Sequence, residues 1–307
     1  MSARRSFLAG LFGQGVGPSL TPELHEREAV RQGVRYVYKT VDLAEQQTTP
    51  ERLRELLAAA VELGFDGLNV THPVKQTMVP LVDRVSDGVE AIGALNTVLI
   101  GAGGTVGHNT DVTGFGRSFE DGLAGAPRDE VVLLGAGGAG TAVAHALLAH
   151  GVRRLRVADP DVTRAEDLSR SVPRLADAAE VVAVSPEDVA DAIAAADGLV
   201  NATPIGMAAH PGTPVPTELL RPGLWVADIV YRPLHTPLLL AAAERGCRTL
   251  TGAGMAVHQA ADAFELITGL PADRAAMFGD LEELVGAEVR RARLDPQVPD
   301  TPDERNP

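Results

Sequence analysis

The stretch EVVLLGAGGAGTAVAHALLAHGV, residues 130–152, sets a strand, a glycine loop and an Ala/Leu-rich helix in immediate succession. Its centre, Gly135-Ala136-Gly137-Gly138-Ala139-Gly140, satisfies G-x-G-x-x-G. Alone that pattern is common, and a merely tight strand–helix turn satisfies it as well. Here an apolar strand runs into it and a helix leaves it. Glycines let the backbone turn sharply and approach a pyrophosphate, and the helix N-terminus offers free N–H groups and a positive dipole end. The stretch predicts a dinucleotide site at Gly135, Gly137, Gly138, Ala139 and Gly140.

The next strand, RLRVADP (154–160), bears on which dinucleotide. Asp159 lies nineteen residues after Gly140. A carboxylate there accepts hydrogen bonds from the ribose hydroxyls of NAD and repels the 2′-phosphate of NADP. Arg164 is the one nearby cation, placed to stack on adenine or to salvage some NADP binding. Further strands are expected in ADGLVNAT (196–203) and LWVADIVY (224–231), and a helix over 255–268. Strands alternating with helices predict a doubly wound parallel sheet. The single cysteine, Cys247, falls between a helix and a strand with no local base, which points to packing.

Upstream of Gly114 the pattern differs. FLAGLF (7–12), DGLNVT (66–71) and ALNTVLI (94–100) read as strands, and TVGHNTD returns from a GAGG turn as a hairpin. Thr21-Pro22-Glu23 and Thr49-Pro50-Glu51 each read as a threonine-capped helix start. These elements make a small α/β domain. Polar stretches punctuate it: PSLTP (18–22), NVTHPVK (69–75), GHNTD (107–111) and Asn96 within ALNTV. They offer the hydroxyls of Ser19, Thr21 and Thr71, the carboxamides of Asn69 and Asn96, the Lys75 ammonium and the Asp111 carboxylate. That set suits a small polyhydroxylated acid, although Asn, Thr and Asp also favour turns and caps for their own sake. Lys75 stands out, because only two of 27 basic residues are lysine. An amine's pKa shifts with its surroundings as a guanidinium's does not. His72, beside a proline, reads as structural. The eight histidines lack metal-ligand spacing, so no metal is expected.

RRSFLAGLFGQGV, near the start, has the look of a twin-arginine leader. Gln14 and several glycines break its apolar run, and cleavage would remove Ser19 and Thr21. It is read instead as a solvated Arg-Arg pair leading into the first strand. A formal net charge of −14 argues against nucleic-acid partners. No apolar run approaches a membrane span. One cysteine fits a reducing, cytoplasmic setting. The proline-rich, charged residues 293–307 are expected to be disordered.

In this order, NVTHPVKQ, ALNTV, GHNTDVTGFG, GAGGAG, NATPIGM and GMAVHQAADAF resemble the shikimate dehydrogenase family, from Leu11 to about Gly279. GQGVGPSLTPELHE, GFDGLNVTHPVKQ and VADPDVTRA look like its actinobacterial NAD-dependent quinate/shikimate branch. The resemblance implies a substrate domain over 1–112 completed by 254–292, and a Rossmann-type NAD domain over 113–253. It implies Lys75 and Asp111 as the catalytic pair and Ser19 and Thr21 as the carboxylate hydroxyls. Asn69, Thr71, Asn96, Gln259 and Tyr231 become substrate contacts. Thr203, Val230, Gly252 and Met255 come to surround the nicotinamide. The implied reaction moves hydride from the C3 hydroxyl of shikimate or quinate to NAD. A catabolic direction would follow from a mostly oxidised NAD pool.

Two departures separate the chain from what the resemblance implies for the biosynthetic branch: at the carboxylate end that branch usually carries serine at Thr21 with histidine at Pro18, and on the cofactor side it usually carries Asn-Arg at Asp159-Pro160. Rival readings are an NADP-dependent biosynthetic enzyme, a regulator that senses NAD without turnover, and a folate-type dehydrogenase. An intact Lys75 and Asp111 argue against the regulator. The folate enzyme has no use for the Ser19/Thr21 cradle. The chain is expected to act as a monomer or homodimer.

Overall fold

The computed structural model describes residues 5–172 and 179–294. In order, β1 (Ser6–Gly13), α1 (Thr21–Arg31), β2 (Arg35–Asp42), α2 (Pro50–Glu62), β3 (Gly67–Val70), β4 (Arg84–Val85), α3 (Asp87–Ile92), β5 (Thr97–Gly101) and β6 (Gly104–His108) build a first sheet and its helices. Its strand order is β2-β1-β3-β5-β6-β4. β1 runs parallel to β2 and β3, while β5 runs antiparallel to both β3 and β6. This mixed pairing puts the carboxyl ends of β1, β3 and β6 and the amino end of β5 on one edge. PSLTP, NVTHPVK, Asn96 and GHNTD therefore emerge together. Asn96 precedes its strand rather than ending one, and the antiparallel register (Asn69 opposite Thr97) brings it back to the others.

α4 (Thr110–Gly122) leads to the second sheet, followed by β7 (Glu130–Leu134), α5 (Gly138–Ala149), β8 (Arg154–Ala158), α6 (Val162–Ser171), β9 (Glu180–Val184), α7 (Val189–Ala195), β10 (Gly198–Asn201), β11 (Trp225–Asp228), α8 (Pro237–Glu244) and β12 (Arg248–Leu250). The order is β12-β11-β10-β7-β8-β9, with every pair parallel. The chain winds outward from β7 to β9, then crosses to β10 and winds the other way. The crevice between β7 and β10 is the switch point where such sheets bind ligands. The core strands are continuous apolar runs because helices cover both faces. Val131, Val132, Leu133, Leu199 and Val200 are fully buried.

α9 (Ala253–Thr268) and α10 (Arg274–Leu294) return to the first sheet. α9 packs on α4, β1 and β5, and α10 packs on α9 and α1. The expected divisions at 112/113 and 253/254 fall at the starts of α4 and α9. Arg293 and Leu294, expected in the tail, belong to α10, and 295–307, the rest of the expected tail, lie outside the described residues.

One helix start differs from expectation. Leu20, not Thr21, is the N-cap of α1, with no side-chain cap bond of its own. The Ser19 hydroxyl instead accepts the Thr21 N–H at 3.3 Å. Thr49 does cap α2, accepting the Arg52 N–H. Among the described residues no helix is long and apolar enough to cross a membrane.

Candidate active site

Lys75 leaves the loop after β3, and Asp111 is the second residue of α4. Their side chains meet with Nζ 2.6 Å from Oδ2, at 15% and 9% exposure. The start of α4 is fixed by two asparagines. Asn109 accepts the Asp111 N–H at 3.0 Å, and the Asn96 oxygen accepts the Thr110 N–H at 2.8 Å. Asn96 also donates to the Thr110 hydroxyl, so much of its amide serves to seat Asp111.

Asn69 is buried in β3. Its oxygen accepts the Tyr38 phenol at 2.6 Å, and its nitrogen donates to the Thr97 hydroxyl at 3.1 Å. Thr71 follows β3, its N–H bonded to the Phe12 carbonyl. Ser19 lies in the turn between β1 and α1, and Thr21 opens α1. Gln259 lies on α9 against α4, donating to the Ala256 carbonyl. Tyr231 packs among the apolar side chains of α9 and α10, and burial raises its phenol's pKa. His72 offers its carbonyl to Gln14. Among the described residues, no three His, Cys, Asp or Glu side chains cluster as metal ligands.

Across from these groups lies the glycine loop. Gly135 has φ +98°, a left-handed conformation that favours glycine. A Cβ on Gly140 would stand 2.0 Å from the Gly135 carbonyl, whereas one on Gly137 would meet nothing within 4 Å. The loop is thus tight at its base and open at its tip. Gly137 caps α5 with no side chain in the way, leaving the first N–H groups of Gly138 and Ala139 free to face an anion. These features fit a pyrophosphate. A Cβ on Gly138 would lie 3.7 Å from Lys75 Cδ, so the loop and the lysine face each other.

Asp159 follows β8 with its carboxylate held on both oxygens. The Ala136 N–H reaches Oδ2 at 2.8 Å and the Asp161 N–H reaches Oδ1 at 3.0 Å. Arg164 is 63% exposed and lies 3.6 Å from Asp161, not against Asp159.

The residues expected around the nicotinamide rest on a buried network that the sequence reading missed. The Asp228 carboxylate accepts from Asn201 and the Val230 N–H at 3.0 Å each, and from Thr236 at 2.7 Å. Asn201 in turn accepts from the N–H and hydroxyl of Thr203. Asp228 is 2% exposed with no cation among these partners, and burial raises its pKa. One carboxylate thereby ties the loop after β10 to the loop after β11. Its signal was a lone acid inside the apolar run LWVADIVY. Gly252, the α9 cap, passes so close to β11 that a Cβ would sit 2.3 Å from the Ile229 carbonyl. Met255 follows in α9, buried against Phe115 and Phe119 of α4. Tyr38, Thr97 and Thr110 were missed as well, since their alternating or strand-end positions look ordinary.

Family models match in three places. The shikimate dehydrogenase substrate binding domain matches residues 11–98, the shikimate 5′-dehydrogenase C-terminal domain 252–277, and the ThiF family 108–181. The chain is 52% identical to "Shikimate dehydrogenase (NADP(+))" of Streptomyces avermitilis, over 93% of this chain and 98% of that protein. It is 51% identical to "Quinate/shikimate dehydrogenase (NAD(+))" of Corynebacterium glutamicum, over 87% and 95%. A solved quinate dehydrogenase from Corynebacterium glutamicum in complex with NAD superposes with a TM-score of 0.84 at 49% identity, covering 91% of this chain and 99% of that one. With relatives this similar matched nearly end to end, the chain belongs to the shikimate dehydrogenase family.

Proposed function

We propose that the protein oxidises the C3 hydroxyl of shikimate and of quinate with NAD, and reduces the corresponding ketones in reverse. The observation that carries this reading is the Lys75–Asp111 pair, held beside the first turn of α5 where the glycine loop fits a dinucleotide. A bound nicotinamide would supply the hydride acceptor. The chain's own residues handle the acid and the proton. Ser19 and Thr21 offer hydroxyls to its carboxylate. Lys75, in its neutral form, receives the C3 hydroxyl proton at Nζ and passes it to solvent. Asp111 orients that amine and the neighbouring C4 hydroxyl. Asn69, Thr71, Asn96, Tyr231 and Gln259 line the acid, and Thr203, Val230, Gly252 and Met255 border the nicotinamide.

Asp159 supports NAD over NADP. Its carboxylate is anchored to the glycine loop itself, so it cannot swing away from a 2′-phosphate without giving up two N–H bonds. The reading with NADP draws on the Streptomyces relative's name and on Arg164, which is 63% exposed and pairs with Asp161 at 3.6 Å rather than with Asp159. Initial rates with both acids crossed against both cofactors decide between them. We expect turnover of both acids, with NAD preferred by at least about tenfold, a difference of about 1.4 kcal/mol. Asp159→Ala should narrow that gap. Activity confined to NADP and shikimate would overturn the NAD assignment, and silence in all four combinations would overturn the dehydrogenase.

A further inference from the structure

Arg232 follows Tyr231 in the loop after β11. Its guanidinium grips Glu288 of α10 at two points, Nε to Oε2 at 2.9 Å and Nη2 to Oε1 at 2.7 Å. Its third nitrogen, Nη1, donates to the main-chain carbonyl of Pro18, the residue before Ser19. One side chain rooted in the second sheet therefore touches the turn that carries Ser19 and Thr21.

That turn is anchored at its flanks, by the Gly15 N–H on Asp42 Oδ1 at 2.7 Å and by the buried side chains of Val16 and Leu20, while its exposed middle has fewer ties. Gly15 and Gly17 precede it, and Pro18 is exposed. Within it, the Ser19 N–H reaches the Val16 carbonyl at 3.0 Å and the Thr21 N–H reaches Ser19 Oγ. The proline has no N–H to give, so its carbonyl is the point where the turn can be fastened from outside. Glu288 fixes the planar fork and so directs the remaining nitrogen. Arg232 and Glu288 are 29% and 33% exposed, so solvent screens much of their attraction. The arrangement contributes position more than stability.

We infer that Arg232 is a positioning residue: it fastens the Ser19–Thr21 turn to the cofactor-side loop and to α10, and so sets the affinity for the substrate carboxylate. The inference rests on the proposed role of Ser19 and Thr21. Kinetics of the full chain test it. In Arg232→Met, KM for shikimate or quinate should rise about tenfold while kcat stays within about threefold of wild type. Kd for NAD should not move. Arg232→Lys, which keeps the charge and loses the fork, should fall between Met and wild type. Glu288→Gln should raise KM less than Arg232→Met, and the double variant should be no worse than Arg232→Met, because the two act as one unit. An unchanged KM in Arg232→Met, or a kcat loss at constant KM, overturns the inference. Hydrogen exchange over residues 16–21 without substrate gives a second readout: faster exchange in Arg232→Met supports the fastening and equal exchange overturns it. If wild type turns over neither acid, the proposed function falls, and the exchange result still decides whether Arg232 holds the turn.

Discussion

Lys75 and Asp111 stand 36 residues apart in the chain, and one ion pair joins them. A largely buried pair of this kind adds little net stability, since desolvation offsets most of its attraction. Its value lies in where it puts an amine. Lys75→Ala should therefore lower kcat by about a hundredfold or more, the usual reach of a positioned acid–base group, with little change in substrate Kd. A large loss of binding at normal kcat would make Lys75 a clamp instead. The Asp159 carboxylate acts on a different quantity. Its two N–H partners hold it still, so its removal should change which cofactor is used rather than how fast the proton moves.

Helices α4 and α9 set the precision of that chemistry. A Cβ on Gly114 would stand 2.9 Å from the Gln259 nitrogen and 3.0 Å from the Met255 carbonyl, both backbone atoms that cannot rotate aside. Gly114→Ala should push the helices apart at a cost of about 1–3 kcal/mol and shift Asp111, one turn earlier. Thermal melting should record a lower Tm, and KM for the acid should rise while the NAD-to-NADP ratio holds. An unaltered Tm and KM would show that the two helices adjust freely. These elements were also where the sequence was most and least informative. EVVLLGAGGAG and the polar strand ends announce themselves because local geometry demands those residues. RYVYKTVD, which forms β2, carries no local sign that Tyr38 will hold Asn69, 31 residues away. Arg232 reaches Pro18 across 214 residues. Neither periodicity nor turn chemistry encodes such meetings; strand order within the first sheet makes the one, and the placement of the two sheets makes the other. The Thr21 cap was misjudged for a related reason: Ser19, two residues earlier, already supplies the oxygen that a cap would.

For the whole molecule, buried histidines make stability fall as the pH is lowered. His25 is fully buried among Tyr36, Tyr38 and Phe264, and burial lowers its pKa from 6.5 to about 3. Burial also lowers His108, His145 and His258. The unfolded chain takes protons near pH 6.5 that the folded chain refuses. Stability is thus fully present above that pH and is lost as pH falls toward the folded value of His25, by up to about 1.4 kcal/mol per unit for one such group. Urea midpoints between pH 7 and pH 5 should fall for wild type and fall less for His25→Phe; parallel curves would remove His25 as a cause. The return of α9 and α10 to the first sheet bears on the order in which the molecule is made. During synthesis β1 through β6 leave the ribosome first, and the second sheet follows with all its strands in one continuous stretch. The first sheet must wait with β1, β5 and α1 uncovered until the last described helices emerge. The half that begins earliest is finished last, so a nascent chain passes through a stage in which the second sheet has all its strands while the first still lacks two of its covering helices.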